Sequence, residues 1–246
     1  MRKAIVKEPC RLCKNNTELC ESHILPEFMY TELYDEKHRF VEIDVERKKE
    51  RFGQKGIREY LFCKSCETLM SKYENYASDV LRRNIYCNAS TKKMYRGKVI
   101  YEVLELNYNK LLKYFLIVAY RSAISSKVFF QNCKLDSFKL NTLEVLINDV
   151  KKEVPRNKYP LIVIKLINRV FKGKTVLREP SIYNLPNHLD SEFYRLFNGN
   201  FIFMQGLQIK EFRKYMNDFS LKENGSILIP EFDSITSPEI KSLFGA

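Results

Sequence analysis

Cys10-Arg11-Leu12-Cys13 and Cys63-Lys64-Ser65-Cys66 are the two stretches on which the reading of this chain turns. Each Cys-x-x-Cys hairpin points two thiolates the same way, and four thiolates complete the tetrahedral shell of a structural Zn²⁺. The 49 residues between the pairs exceed a compact zinc ribbon, so a further element is inserted between the halves. A redox use of either pair needs a thioredoxin-like βαβ unit, and no such pattern surrounds them. Cys20, Cys87 and Cys133 bring the thiol count to an odd seven, which fits reduced cysteines in the cytoplasm better than a disulfide framework. Cys20 has two readings, a fifth thiol near the metal or a buried free cysteine.

Working outward from the first pair, residues 8–14 read as a turn and Asn15-Asn16-Thr17 as another. Pro26 suits a first helical turn, and Phe28, Met29, Leu33 and Tyr34 have helical spacing within 27–36. Phe40, Val41, Ile43 and Val45 alternate, which predicts a strand over 39–45. Strand formers fill 56–62, and the basic turn between the two predicts that they pair as a hairpin. After the second cysteine pair, Leu69, Met70, Tyr73, Tyr76, Ala77, Val80 and Leu81 share one face of a helix over 67–86. A knuckle, hairpin strands and a helix whose first turn holds the second pair make up a treble-clef zinc finger.

The expected fold class is therefore α+β, with a zinc-binding module over 1–98 and a second α+β domain over 99–246. In the second domain Val99 to Leu106 alternates like a strand, and 111–130 reads as a central buried helix. Residues 138–150 continue helical, 159–167 and 201–207 read as buried strands, 208–219 as a helix and 226–229 as a short strand. Arg121, Ser122, Ser125 and Ser126 on the central helix either line a pocket or serve as packing residues. Substrate positioning, dimerisation and docking of a partner subunit all remain open for this domain.

Across 246 residues, Lys and Arg outnumber Asp and Glu by 42 to 30, a net charge of +12 that favours a polyanionic partner. Thirty-two Phe and Tyr residues exclude wholesale disorder, and eight Gly with eight Pro exclude a linker-dominated chain. The charge is concentrated. Arg47, Lys48, Lys49, Arg51, Lys55 and Arg58 form one acid-poor run, and Arg82, Arg83, Lys92, Lys93, Arg96 and Lys98 form another. Tyr86 and Tyr95 interleave the second run, a pattern suited to phosphate contacts with base stacking. The expected partner is nucleic acid, DNA first. No apolar run of signal-peptide length opens the chain, and polar residues interrupt 111–130, so no membrane partner is expected.

Ser22-His23-Ile24-Leu25-Pro26 between two zinc-binding pairs, with Cys66-Glu67 and Tyr73-Glu74 beyond them, resembles HNH endonucleases, the ββα-metal or His-Me finger group. The resemblance covers residues 8–87. It implies metal-dependent hydrolysis of phosphodiester bonds, often in bacterial defence against phage. It also implies that His23 is the general base and that Glu67, standing where the family's last motif residue falls, holds a catalytic Mg²⁺ or Mn²⁺. Glu74 and Asn75 are further candidate ligands, since a hard cation prefers oxygen. The bland reading of His23 is a packing histidine beside the zinc, or a substitute ligand for one cysteine. His38 and His188 read as loop residues. No phosphate-binding glycine loop, nucleophile elbow or dinucleotide fingerprint occurs. The alternative function is a non-catalytic zinc-stabilised module for nucleic-acid binding or protein interaction.

Overall fold

Lys14, at a left-handed φ of 64°, turns the chain between β1 (Lys7–Pro9) and β2 (Asn16–His23), which run antiparallel. The computed structural model describes residues 6–31, 33–44, 49–86, 91–95, 97–167, 176–184, 191–210 and 214–233. After β2 come α1 (Phe28–Thr31), β3 (Phe40–Asp44), β4 (Lys49–Gly53), β5 (Arg58–Cys63) and α2 (Lys64–Val80). α2 runs on into a π-helical stretch, Leu81–Tyr86. The chain continues with β6 (Thr91–Tyr95), β7 (Lys98–Val103), α3 (Tyr108–Ile124), a 3₁₀ turn (Val128–Cys133) and α4 (Ser137–Asn148). β8 (Leu161–Ile167), β9 (Val176–Asn184), β10 (Glu192–Asn198), β11 (Phe201–Gly206), α5 (Lys214–Phe219) and β12 (Ile227–Asp233) complete it. The α+β class expected from the sequence holds.

The strand pairing differs from expectation. β5 does not pair with β3; it lies antiparallel to β2, with His23 opposite Arg58, in a three-stranded sheet of order β1-β2-β5. β3 instead forms a hairpin with β4 and adds in parallel to β9. The reason is burial. Leu61, Phe62 and Cys63 at the end of β5 are buried beside the first cysteine pair, whereas β3 and β4 complete one edge of a nine-stranded mixed sheet of order β4-β3-β9-β10-β11-β8-β12-β7-β6. Asn16 and Thr17, expected in a turn, start β2, and the first helix is limited to Phe28–Thr31. The expected boundary at residue 98 falls at the start of β7, which forms a hairpin with β6.

α3 is buried from Leu111 to Ala123 on every side. Asn107 caps it, accepting from the Lys110 N–H at 3.0 Å. It ends at Ile124, short of the expected Phe130, because Ser125 turns to extended backbone. There the Glu59 carboxylate accepts the Ser125 hydroxyl at 2.7 Å and the Ser126 N–H at 3.1 Å. Phe115 stacks on Phe203 of β11 with centroids 5.0 Å apart, so α3 covers one face of the large sheet. A continuous core joins Cys10, Leu12, Phe28, Phe62 and Met70 to α3 and that sheet face. Each such buried side chain contributes about 1.5–3 kcal/mol. The other face carries Ile162, Ile164, Phe193 and Met204, in one cluster with Met216 of α5. Among the described residues no helix is long and apolar enough to cross a membrane.

Candidate metal centre and the neighbouring histidine

The knuckle forms because Lys14 and Arg11 tie it at both ends. The Lys14 N–H donates to Cys10 O at 2.9 Å, and the Arg11 N–H donates across to Leu61 O of β5 at 2.9 Å. Cys63 closes β5 and caps α2 with backbone at φ −74°, ψ 166°; Cys66 lies in the first turn. As a result the Sγ atoms of Cys10, Cys13, Cys63 and Cys66 all lie within 4.8 Å of one another. Cys13 Sγ and Cys63 Sγ are 3.8 Å apart, matching the edge of a tetrahedron with ~2.3 Å Zn–S bonds. The Cys63 N–H also points at Cys10 Sγ, at 3.4 Å.

The thiols are electrostatically unequal without a cation. Burial raises Cys63, but hydrogen bonds from Ser65 and the Cys66 backbone bring it down to about 6. Burial and the neighbouring thiols push Cys66 far up, and burial raises Cys13. Several close thiolates need a cation to coexist, and an all-sulfur tetrahedral set suits Zn²⁺. Cys20 is a half-buried free thiol held above its usual range by burial and by Glu67. Cys133 is buried against Pro180 O, a packing residue.

His23 ends β2. The Ile24 N–H donates to Ile57 O at 3.0 Å, and the Ile57 N–H donates to the Tyr30 hydroxyl at 3.2 Å, which fixes the turn around it. Gly56 is required there, because a Cβ would stand 2.7 Å from the Tyr30 ring and 3.1 Å from His23 Cδ2. His23 Nε2 faces two groups of opposite demand. The Arg58 Nε–H donates to it at 2.8 Å, and Glu27 Oε2 lies 3.0 Å away. Burial and then Arg58 lower its pKa below the usual 6.5, against Glu27, so the imidazole is neutral at pH 7 with Arg58 as its donor. Tyr34 donates to the other Glu27 oxygen at 2.9 Å, and burial with that bond pushes the phenol up to about 12.

The two acidic candidates have a different partner. Arg121 of α3 is 1% exposed; its guanidinium lies 3.3 Å from Glu67 and 2.5 Å from Glu74, two turns apart on α2, and 5.6 Å from the Phe62 ring centroid. Among the described residues the four cysteines are the only group of three or more His, Cys, Asp or Glu close enough to share an ion. His23, Glu67 and Glu74 do not gather into one, and Asn75 is exposed. A divalent cation between Glu67 and Glu74 would have to displace a guanidinium. Sequence reasoning met Arg121 only as a pocket or packing residue; its charge inside an apolar helix was the available signal.

Lys55, Arg58, Arg82, Arg83, Lys92 and Lys93 are exposed. Arg82 donates to Thr31 at 3.3 Å, while Arg83 pairs with Asp79 and Lys93 with Glu102. Arg58 at His23 and Arg82 at Thr31 thus bring both basic runs to the same short segment. Arg47, Lys48, Arg96, Cys87 and His188 lie outside the described residues, and so do the side chains of Lys49, Arg51 and Lys98. His38 stacks on Tyr34 in an exposed turn, as a loop residue. Comparison with family models, curated proteins and solved structures finds no match to this chain.

Two outcomes follow from this geometry. Elemental analysis of purified protein should find one zinc per chain; Cys66→Ser should lose it, and chelation should lower Tm by about 5 °C or more. Arg121→Met, which leaves Glu67 and Glu74 unpaired, should cost about 3–5 kcal/mol in urea unfolding at neutral pH. Burial already holds the Glu74 carboxyl above its usual range despite Arg121. Protonation relieves the unpaired charge, so the loss should shrink as the pH is lowered and the Glu74 carboxyl protonates.

Proposed function

We propose that this chain is a zinc-stabilised HNH-like nuclease that binds nucleic acid, DNA first, and hydrolyses its phosphodiester bonds at His23. The observation that carries the reading is His23 Nε2, 2.8 Å from Arg58 Nε and 3.0 Å from Glu27 Oε2, at the end of a strand paired with β5, which runs directly into α2. The paired strands β2 and β5 with α2 after them, one cysteine pair just before β2 and the other at the β5–α2 junction, support the treble-clef and ββα-metal likeness, with α1 and the β3–β4 hairpin inserted between the two strands. The bland alternatives for His23 lose support. It is not a ligand substitute, because four cysteines already supply the sulfur set, and it is only half-buried with its Nε2 turned to charged groups.

The chemistry follows from the two partners. A phosphodiester drawn to Arg58 takes the guanidinium away from His23, leaving the Nε2 lone pair free. Neutral Nε2 then accepts a proton from the attacking water. The imidazolium that forms donates to Glu27, whose second oxygen is held by Tyr34. Zinc at the four cysteines would supply a cross-link closed to water. The second, catalytic Mg²⁺ or Mn²⁺ that the HNH likeness implies has a poor ligand set here, because Arg121 spans Glu67 and Glu74; no step is assigned to it. That same pairing favours the second reading, in which the module binds nucleic acid or a protein partner without cutting.

Plasmid or RNA cleavage assays, run with and without Mg²⁺ or Mn²⁺, separate the two. His23→Ala should lower cutting about 10²–10⁴-fold while zinc content and salt-sensitive binding persist. Cutting equal to wild type in that variant would sink the nuclease reading. Because His23 titrates below 6.5, the neutral base persists under mildly acid conditions, and the acid limb of the rate profile should lie below that value. Arg58→Gln removes a cation that depresses the imidazole, so any residual activity should show that limb moved upward.

A further inference from the structure

On the face of the large sheet away from α3, Arg195 of β10 is 9% exposed, yet its Nε and Nη1 have no hydrogen-bond partner among the described residues. Only Nη2 is engaged, donating to the Ser181 hydroxyl at 3.1 Å. The guanidinium carbon lies 4.6 Å from the Tyr183 ring centroid and 5.2 Å from that of Phe197. Arg178, directly opposite Phe197 in the β9–β10 register, stands over the same ring at 5.1 Å. The result is a row of ring, guanidinium, ring, guanidinium across two strands.

The rings account for the faces of the guanidinium through cation–π contact. They do nothing for its edge. Buried N–H donors without partners cost free energy, and each such group calls for a ligand or a water. Here the cost is compounded by a second cation: burial and then Arg178 bring Arg195 down to about 10, and burial also lowers Arg178. A second guanidinium over the same ring, the two open Arg195 donors and a hydroxyl alongside are arranged for an anion with several acceptor oxygens. Arg178, Ser181 and Tyr183 are only half-buried, which leaves the row open to solvent at that end. Guanidinium donors match the oxygens of a phosphoryl group in geometry as well as charge.

We propose that Arg195 and Arg178, with the Ser181 hydroxyl, form a phosphate-binding site between the Tyr183 and Phe197 rings. The site is separate from His23 and does not rest on the nuclease reading.

Calorimetric titration of the full chain tests it, with inorganic phosphate as the probe against chloride at equal ionic strength. Phosphate should bind saturably. Arg195→Met should weaken it about 10- to 100-fold, and Arg178→Gln should weaken it while circular dichroism stays native. Arg195→Met should also raise Tm in phosphate-free buffer, because it removes an unsatisfied buried cation; an arginine with a purely structural role would lower it. Competition by oligonucleotides with and without a 5′-phosphate identifies the source: a terminal phosphate if only the first competes, the backbone if both do, a free anion or small phosphate ester if neither does. No saturable phosphate binding by wild type, or equal binding by Arg195→Met, would overturn the site.

Discussion

Four sulfur atoms converging within 4.8 Å impose the constraint from which the N-terminal half follows. Cys10 and Cys13 belong to the loop between β1 and β2, while Cys63 and Cys66 belong to the junction of β5 and α2. Bringing them together fixes the end of β5 against the knuckle, as the Arg11 N–H to Leu61 O bond records. With β5 held there, its antiparallel partner β2 sets His23 opposite Arg58. The cysteine cluster thus acts on the histidine through strand register, without touching it. A one-residue slip would turn His23 to the other face of the sheet and separate it from Arg58.

α3 holds that assembly from the other side. The Tyr120 hydroxyl lies 2.7 Å from Arg11 O in the knuckle and 2.8 Å from Glu144 of α4. The next residue of α3, Arg121, engages α2, and at the helix end Ser125 meets Glu59 of β5. Phe28 of α1 packs on Tyr114, with ring centroids 5.8 Å apart. The four-cysteine module therefore rests on polar contacts from residues far along the chain. A buried arginine is tolerable because two carboxylates and an aromatic face meet it together; removing α3 would leave those carboxylates without their cation.

This division explains which features were legible in the sequence. The cysteine pairs were, because metal chemistry fixes spacing locally. α2 and α4 were, because their apolar residues recur at helical spacing, and α3 was, because an apolar run of its length reads as a buried helix. The partner of β5 was not: alternation identifies a strand but carries no information on which strand it joins, and residues 16–23, which form β2, show no strand pattern that sequence reading recognised. β10 was missed because both of its faces are buried, from Phe193 to Asn198, so no alternation marks it. β9 carries Pro180 beside its bulge, which weakens a strand pattern. The engagement of Glu67 by Arg121, 54 residues away, has no local signature at all.

Net charge misleads in the same way. The surplus of twelve is a sum over all ionisable residues, yet Lys113 and Arg121 are at most 1% exposed and Arg195 only 9%. Those cations are spent internally: Lys113 donates to the backbone carbonyl of Asp149 past the end of α4, and Arg121 ties α2 to α3. What a polyanion would meet is the exposed remainder, and its placement matters more than its total. Arg58 from one basic run reaches His23, and Arg82 from the other reaches Thr31, one helical turn beyond Glu27. Runs separated in sequence by a long helix therefore converge on the segment that holds the histidine. A phosphate backbone drawn by either run would arrive beside His23, whose pKa burial and then Arg58 hold below its usual range.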